Sequence, residues 1–404
     1  MNNTKRYLYL IVGTIALLFA GTVYAWSILK VPLAQNFGWT VPQLTVNFTL
    51  TMSFFCLGGI LGSLLNRKIG LRTTLIISAF FSGLGFVLTS FLSGSSISML
   101  YLCYGIICGL GIGIAYNNII STVNQWFLDK KGFSSGVLLM GYGASSLVIG
   151  TIAAKTMAAA NFGWRNTYLS IGIALFIVLF ACAIILKTFI SDDNGKNSNN
   201  GLLQTKDYTL KEMLKSVNFW KALAVITFLA ACGNTVISIA KDISLASGLA
   251  ETLAVTMVGV LSVCNGLGRI ICGLIFDKFG CKKTMIYADV LTIVAGVVIL
   301  TAVINSSVSL CVAGLCIVGL SFGCCPTISA AFIADFFGKK NYNLNYSVFN
   351  LNLLLASLIA SVESYLLALS GGYVLPFIVL ISLATVALII TMSIKKHNNN
   401  LKIA

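Results

Sequence analysis

Long apolar stretches alternate with short polar segments along the whole chain. A helix needs about 20 predominantly apolar residues to cross the hydrocarbon core of a bilayer, and stretches of that length recur from end to end. The pattern therefore predicts an all-α membrane protein with twelve transmembrane helices. The predicted spans are 7–29, 44–65, 73–93, 98–126, 133–155, 164–187, 220–240, 251–276, 284–304, 307–332, 343–368 and 372–394.

The longest polar segment divides these spans into two groups of six. It begins with SDDNGKNSNNG at 191–201 and continues with basic residues that show no apolar periodicity. Such a composition is typical of a hydrated linker. We therefore predict an N-terminal six-helix bundle over 1–187, a linker over 188–219 and a C-terminal six-helix bundle over 220–404.

A repeated basic turn indicates that the two halves are duplicates. The turn RKIGLR at 67–72 follows the second span, and DKFGCKK at 277–283 follows the eighth, with Gly70 and Gly280 lying 210 positions apart. Further basic turns after the fourth and tenth spans recur at nearly the same offset. Many secondary transporters are built from such repeats, with the substrate site between the halves near the membrane midplane.

Composition and charge agree with the membrane assignment. The chain is 58% hydrophobic and only 9% charged, which excludes an ordinary soluble protein of this length. Most of the 26 Lys and Arg residues fall in segments on one side of the predicted bundle, if the N-terminus is cytoplasmic. The positive-inside rule then predicts cytoplasmic termini in a plasma or inner membrane. It also explains the net charge of +15 without a nucleic-acid partner.

Residue types that support enzymatic or metal chemistry are scarce. The twelve cysteines lie mostly inside apolar stretches without metal-ligand spacing, and the single histidine, His397, is in the polar tail. No phosphate-binding loop of the GxxxxGK[ST] type is present. The sequence predicts neither an enzyme nor an ATP-driven pump, and no metal or cofactor. The first span lacks a cleavage site and is predicted to be retained.

Arg269 lies in the apolar middle of the eighth span. Asp277, eight positions later, marks the predicted water boundary, so Arg269 lies about 12 Å inside the membrane. A core about 30 Å thick has its midplane near that depth. A guanidinium is tolerated there only when it faces the bundle interior or a wet cavity. We interpret Arg269 as an anion-binding residue; the alternative is a structural arginine that holds helices together through carbonyls or a fixed acid.

Several segments along nearly the whole chain carry a family resemblance. They are GTVYAWSI at 21–28, YGIICGLGIGIAY at 104–116, WFLDKKGFSSG at 126–136, YTLKEMLKSVNFW at 208–220, NGLGR at 265–269, GLIFDKFG at 273–280 and ADFFGKKNYNLNY at 334–346. With them the chain resembles the oxalate:formate antiporters of the major facilitator superfamily and the related monocarboxylate transporters. The resemblance implies the major facilitator fold, transport of small organic anions by alternating access, and carboxylate binding by Arg269.

The resemblance also implies that the turns after the second and eighth spans couple conformational change to transport. The corresponding residues are Gly70, Arg72, Asp277 and Gly280. Where the family has an acid in the first of these turns, this chain has Arg67. The charge-relay role of the turn is therefore expected only in the second half, at Asp277.

Two further departures bear on the substrate. Leu353 stands where the oxalate carrier has a lysine, so one fixed charge faces the substrate and monocarboxylates are favoured over oxalate. Asn265 stands where the monocarboxylate transporters have an acid one turn before the arginine. This leaves antiport with a counter-anion, uniport, or proton coupling through Lys30. A dicarboxylate antiporter and a drug or sugar carrier of the same fold are the alternatives.

Other candidate substrate-binding residues come from several spans. They are Tyr24 and Lys30 in the first span, Tyr116 and Asn117 in the fourth, Tyr142 in the fifth, Asn265 beside the arginine and Asn350 in the eleventh. Lys30 either attracts the substrate or extends its ammonium to the membrane interface. Asn117 either lines the cavity or bonds to a neighbouring helix. Two further acids lie in predicted membrane spans. Asp289 is predicted to have a structural role as a partner of basic loop residues, and Glu363 is predicted to lie at the membrane interface.

Overall fold

The computed structural model describes residues 3–94, 96–127, 129–159, 161–188, 207–338 and 340–394, and this part of the chain is helical. The N-terminal bundle consists of α1 (Asn3–Ala20, the 3₁₀ turn Gly21–Ala25 and Trp26–Phe37), α2 and α3 (41–69 and 71–90 within Val41–Ser90), α4 (Ser98–Leu100, the π-helical Tyr101–Cys108 and Gly109–Trp126), α5 (Lys131–Ala158) and α6 (Gly163–Ile185). The C-terminal bundle consists of α7 (Val217–Ser238, then Ala240–Ala246), α8 (Glu251–Phe279), α9 (Cys281–Ile304), α10 (Val308–Phe336), α11 (Tyr342–Phe349 and Asn352–Ser370) and α12 (Val374–Met392).

These helices confirm the predicted membrane fold. Within the described residues, ten stretches are long and apolar enough to span a membrane, and one of them, Val46–Ser90, contains both α2 and α3. Helix α11, which is interrupted at residues 350–351, completes the twelve. The protein is thus an all-α membrane protein with two pseudo-symmetric six-helix bundles. The domain limits at 187 and 220 stay a prediction, since residues 189–206 of the linker lie outside the described residues.

The repeat is visible in the backbone of the two basic turns. Gly70 has φ 80° and ψ 165°, and Gly280 has φ 78° and ψ 175°. This left-handed region favours glycine because a Cβ atom clashes there. In both turns the threonine four residues later donates its hydroxyl to the glycine carbonyl at 2.8 Å, from Thr74 in one half and Thr284 in the other. At the same offset, Arg269 corresponds to Gly59, and Asp277 corresponds to Arg67.

Helix α1 is longer than its apolar stretch. The helix continues beyond the predicted span 7–29 to Phe37 and ends at Gly38, whose amide donates to the carbonyl of Ala34 at 3.0 Å. Hydrophobicity marks the part of a helix that contacts lipid and core, whereas hydrogen bonding and the cap decide where the helix stops. Lys30 therefore lies within a helix and not at its end.

The halves pack most closely between α5 and α8. Glycines on α5 lie against the backbone of α8: a Cβ on Gly132 would approach the carbonyl oxygen of Gly273 to 2.4 Å, and one on Gly136 would approach that of Arg269 to 2.6 Å. Small residues allow such close approach between membrane helices. This contact fixes α8, and the arginine it carries, against the other half.

Candidate functional site

Arg269 is buried at the interface between the two halves, with 2% of its surface exposed. Its Nε donates to Oδ1 of Asn265 at 3.2 Å, one turn earlier on α8. Its Nη1 donates to the backbone carbonyl of Leu139 on α5. A guanidinium has five N–H donors, so these two hydrogen bonds leave it donors for a bound carboxylate. Asn265 thus helps to fix the orientation of the guanidinium.

The guanidinium lies flat against a glycine of the opposite half. A Cβ on Gly143 of α5 would stand 2.8 Å from Cζ of Arg269 and 3.0 Å from Nη1. Every other residue type would therefore displace the charged group. The Tyr24 hydroxyl of α1 also lies close to the guanidinium. The sequence could not reveal the role of Gly143, because the contact joins two helices that are distant in the chain.

The charge of Arg269 has no acidic partner within the described residues. The ion pair found there joins Arg6 to Asp129 at 3.1 Å. Removing a cation from water without a counter-ion costs several kcal/mol. A structural arginine would be held by backbone carbonyls or by a fixed acid. Arg269 does bond to the carbonyl of Leu139, but no acid pairs with it in the described part of the chain. An uncompensated buried guanidinium favours the binding of an anion.

Three tyrosine side chains, Tyr24, Tyr116 and Tyr142, lie close enough to the guanidinium to interact with it electrostatically. The ring centroids of Tyr24 and Tyr142 are 5.2 Å apart, and those of Tyr116 and Tyr142 are 4.8 Å apart. The structure thus brings together three predicted residues from α1, α4 and α5. It adds Phe55 of α2, whose ring centroid is 5.1 Å from that of Tyr116. Tyrosine hydroxyls can donate to a carboxylate while the rings exclude water.

Tyr346 of α11 is a further site residue that the sequence analysis missed. Its hydroxyl lies 3.5 Å from that of Tyr116, and its ring stacks on that of Tyr342 with centroids 5.4 Å apart. Tyr342, Tyr346 and Asn350 are spaced by four residues and so share one helix face. This spacing of polar and aromatic residues is visible in the sequence and could have identified Tyr346.

Asn117 and Asn350 lie together and bond to each other. Nδ2 of Asn350 donates to Oδ1 of Asn117 at 2.8 Å, and Nδ2 of Asn117 donates to the Ser347 hydroxyl at 3.0 Å. Their amides thus join α4 to α11 across the two halves in this conformation. Lys30 stands apart from them: it is half-buried on α1, about 9 Å along the helix from Tyr24.

The two basic turns form unequal contacts between the halves. Both oxygens of Asp277 accept backbone N–H bonds from the start of α5, from Gly132 and Phe133 at 2.8 Å each. A carboxylate at a helix N-terminus is favoured by the helix dipole. At the equivalent place in the other half, Nη2 of Arg67 donates to Oδ1 of Asn341, just before α11. A cation there opposes the dipole, and Arg72 is exposed to solvent.

We expect Gly143→Ala to weaken anion binding, because the added methyl group would stand only 2.8 Å from Cζ of Arg269 and would push the guanidinium out of its present place. Gly266→Ala is the matched control, since its Cβ would meet only the Met140 side chain at an ordinary 3.5 Å. Binding of lactate and formate, measured as thermal stabilisation of the purified variants, checks this. Equal stabilisation of both variants would contradict the arrangement of Gly143 and Arg269.

Comparison with known proteins identifies the family. The profile of the Major Facilitator Superfamily matches residues 10–239 and again 223–401. The chain belongs to the Major Facilitator Superfamily. It is therefore a multi-pass membrane transporter and not an enzyme, and the resemblance found in the sequence is confirmed.

Curated relatives within the superfamily include both anion carriers and a transporter of undefined substrate. The chain is 29% identical to the uncharacterized MFS-type transporter YhjX of Escherichia coli, over 88% of this chain and 87% of that protein. It is 25% identical to the oxalate:formate antiporter of Oxalobacter formigenes, over 70% of this chain and 66% of the antiporter. It is 28% identical to monocarboxylate transporter 1 of Rattus norvegicus, over 34% and 27%.

Solved structures show the same fold. The proton:xylose symporter XylE superposes with a TM-score of 0.76 at 15% identity, covering 97% of this chain and 96% of the symporter. FucP in its outward conformation superposes with a TM-score of 0.69 at 12% identity, covering 96% and 99%. At these identities the likeness concerns the fold of this superfamily member and leaves its substrate to be inferred from the site.

Proposed function

We propose that the protein is a secondary carrier of small monocarboxylate anions and that Arg269 binds the carboxylate. The observation that carries this proposal is the buried guanidinium with no acidic partner in the described residues. Its planar fork suits a carboxylate, which accepts two parallel N–H bonds. The similarity to an oxalate:formate antiporter and to a monocarboxylate transporter supports the same substrate class.

The tyrosines and Phe55 define the size and polarity of the proposed site. Tyr24, Tyr116 and Tyr142 supply hydroxyl donors and apolar ring faces around one cation. A single carboxylate neutralises this charge, whereas a second carboxylate would be buried without a counter-ion. Leu353 of α11, which is partly buried against the hydrophobic core, supplies no second cation.

The contacts between the halves support transport by alternating access. The hydrogen bonds of Asp277 and Arg67 to the opposite half lie toward the end of the bundle that carries the basic turns. We call this the basic end and propose that it faces the cytoplasm, as the positive-inside rule predicts. The structure then corresponds to a state closed to the cytoplasm, and transport requires these bonds to break.

Competition between substrates tests the proposal. Lactate, pyruvate and formate should compete with labelled substrate uptake into proteoliposomes better than oxalate, because the site holds one fixed cation. Xylose and fucose are the matched neutral competitors and should have no effect. Strong competition by oxalate without competition by monocarboxylates would show a dicarboxylate carrier, and competition only by sugars would overturn the anion proposal.

Lys30 is proposed to attract anions into the cavity from the side opposite the basic end. Lys30→Gln should therefore raise the substrate concentration needed for half-maximal uptake from that side, without loss of folded protein. Lys155, an exposed lysine at the end of α5, provides the control Lys155→Gln. An unchanged half-saturating concentration and pH profile in Lys30→Gln would leave only the interfacial role of this side chain.

A further inference from the structure

The last part of the predicted linker is folded onto the basic end of the C-terminal half. Its short helix, Leu210–Lys215, begins with a capping box, in which the Glu212 carboxylate accepts from the N–H and the hydroxyl of Thr209 at 2.8 and 2.9 Å. Such a box satisfies N–H groups at the start of a helix. Met213 of this helix is completely buried. We call residues 207–215 the linker segment; the family resemblance includes most of it, and the proposed substrate site does not use it.

Tyr208 fixes the linker segment to the turn between α10 and α11. Its N–H donates to the carbonyl of Phe337 at 3.0 Å, and the two rings meet edge-on with their centroids 5.4 Å apart. Its carbonyl accepts from Nδ2 of Asn341 at 3.0 Å and from Nδ2 of Asn345 at 3.1 Å. The linker segment is therefore held on the C-terminal half by both main-chain and side-chain contacts.

Asn341 passes this contact on to the N-terminal half. A carbonyl can only accept, so the Asn341 amide turns its NH₂ group to Tyr208, which leaves its oxygen for another donor. That oxygen accepts from Nη2 of Arg67 in the first basic turn. The bond between the first basic turn and the start of α11 therefore depends on an acceptor that belongs to the linker.

Asp207 places a carboxylate at the start of α11. Its Oδ1 accepts from the backbone N–H of Lys340 at 3.0 Å, two residues before the helix begins. Lys340 lies 209 positions after Lys131, the first residue of α5, where Asp277 accepts from the next two N–H groups. The equivalent starts of α5 and α11 thus each have a carboxylate bonded to main-chain N–H groups. For α5 the acid comes from the second basic turn, and for α11 it comes from the linker.

The anion at the start of α11 compensates for the charge of Arg67. The positive end of a helix dipole disfavours a cation and favours a carboxylate. Arg67 bonds to Asn341, the residue directly before α11, so its charge lies near the unfavourable end of that helix. Asp207 brings a negative charge to the same end. Without this carboxylate, α2 and α11 would meet through a cation and a positive helix end.

We propose that Asp207 supplies the acid that the first basic turn lacks, so that the linker segment keeps α2 and α11 together at the basic end. Asp207 is a positioning residue, which acts through the start of α11 and lies outside the proposed substrate site. Closure on this side of the bundle then depends on where the linker is held, whereas the Asp277 contact is made between the two halves themselves. The inference rests on the proposed closure of the basic end and holds whichever anion is carried.

Distances between spin labels at Lys68 and Lys278, measured without substrate, test this role. Both positions are exposed, and they are equivalent in the two basic turns, one in each half. Asp207→Asn should raise the ratio of open to closed molecules about threefold, the usual effect of one charge at a helix end. Glu212→Gln is the matched control, because it removes a charge from the same segment while glutamine keeps the capping box. The label distances in this control should equal those of the wild-type protein.

Adding Arg67→Gln to the Asp207→Asn protein provides the second readout. Glutamine keeps a donor for Asn341 and removes the cation, so the double variant should return to the wild-type distances. A linker acid that served only the fold of its own segment would not be compensated by a change in α2. Unchanged distances in Asp207→Asn, or an increase that Arg67→Gln does not reverse, would overturn the inference. Failure of every carboxylate to stabilise the wild-type protein would instead refute the proposed function.

Discussion

Replacing Arg269 by alanine should weaken carboxylate binding at least about 100-fold, since truncating one partner of a buried charge pair costs about 3 kcal/mol or more. The loss arises because the substrate anion would enter a water-excluded site lined by Tyr24, Tyr116 and Tyr142 without a cation to meet it. The variant should still insert and fold, because removing an uncompensated membrane charge relieves a cost. Substrate-dependent thermal stabilisation of the purified protein measures the effect.

Arg269→Lys separates charge from geometry. Lysine keeps the positive charge but lacks the planar fork, so it can neither hold Asn265 and Leu139 as arginine does nor form two parallel bonds to a carboxylate. We expect weak residual binding and severely reduced uptake. Wild-type stabilisation by lactate in the alanine variant would show that Arg269 is a structural residue, and the proposed function would fail.

Replacing Asp277 by asparagine should loosen the contact between the halves at the basic end. The uncharged amide oxygen accepts weaker hydrogen bonds from Gly132 and Phe133, and it loses the favourable interaction with the α5 dipole. A loss of about 1 to 2 kcal/mol is expected when a charged acceptor becomes neutral. This raises the ratio of molecules with an open basic end to molecules with a closed basic end by about tenfold.

Spin labels at the exposed positions Lys130 and Lys278, one in each half, would report this opening as a longer distance between the labels. Arg67→Gln is the control at the pseudo-symmetric turn. It keeps a donor for Asn341 and removes a cation that opposes the dipole of α11, so the label distances should not increase. An unchanged distance distribution in Asp277→Asn would show that the carboxylate does not hold the halves together.

Local properties of the sequence were sufficient for the fold and for the central residue. Apolar stretches identified the spans, and distance along α8 placed Arg269 near the membrane midplane because helical rise is constant. The cost of a charge in lipid then placed its side chain in the bundle interior. The repeat of Gly70 and Gly280 followed from a backbone conformation that glycine adopts easily. The Tyr24, Tyr116 and Tyr142 candidates came from the family resemblance and from their polar character within apolar helices.

The remaining contacts depend on how helices from different halves meet. Gly143 gave no signal because glycine in a membrane helix ordinarily indicates close packing, and its role depends on a guanidinium 126 positions away. Asn117 could not be assigned as a cavity residue or an interhelical bond, and the structure shows that it bonds to Asn350. The apolar pattern predicted the membrane span of α1 but not the continuation of the helix to Phe37.

The duplicated halves have taken on different roles. At equivalent positions, the second half has Arg269 and Asp277 where the first has Gly59 and Arg67, while the first half supplies Tyr24, Tyr116 and Tyr142. In the proposed mechanism, the residue that binds the substrate charge and the favourable helix contact thus belong to one repeat, and most of the aromatic surface belongs to the other. An ancestral pair of identical halves could not have offered this division. Chimeras that exchange the C-terminal half between relatives should therefore transfer charge preference, whereas exchange of the N-terminal half should change the shape of the accepted anion.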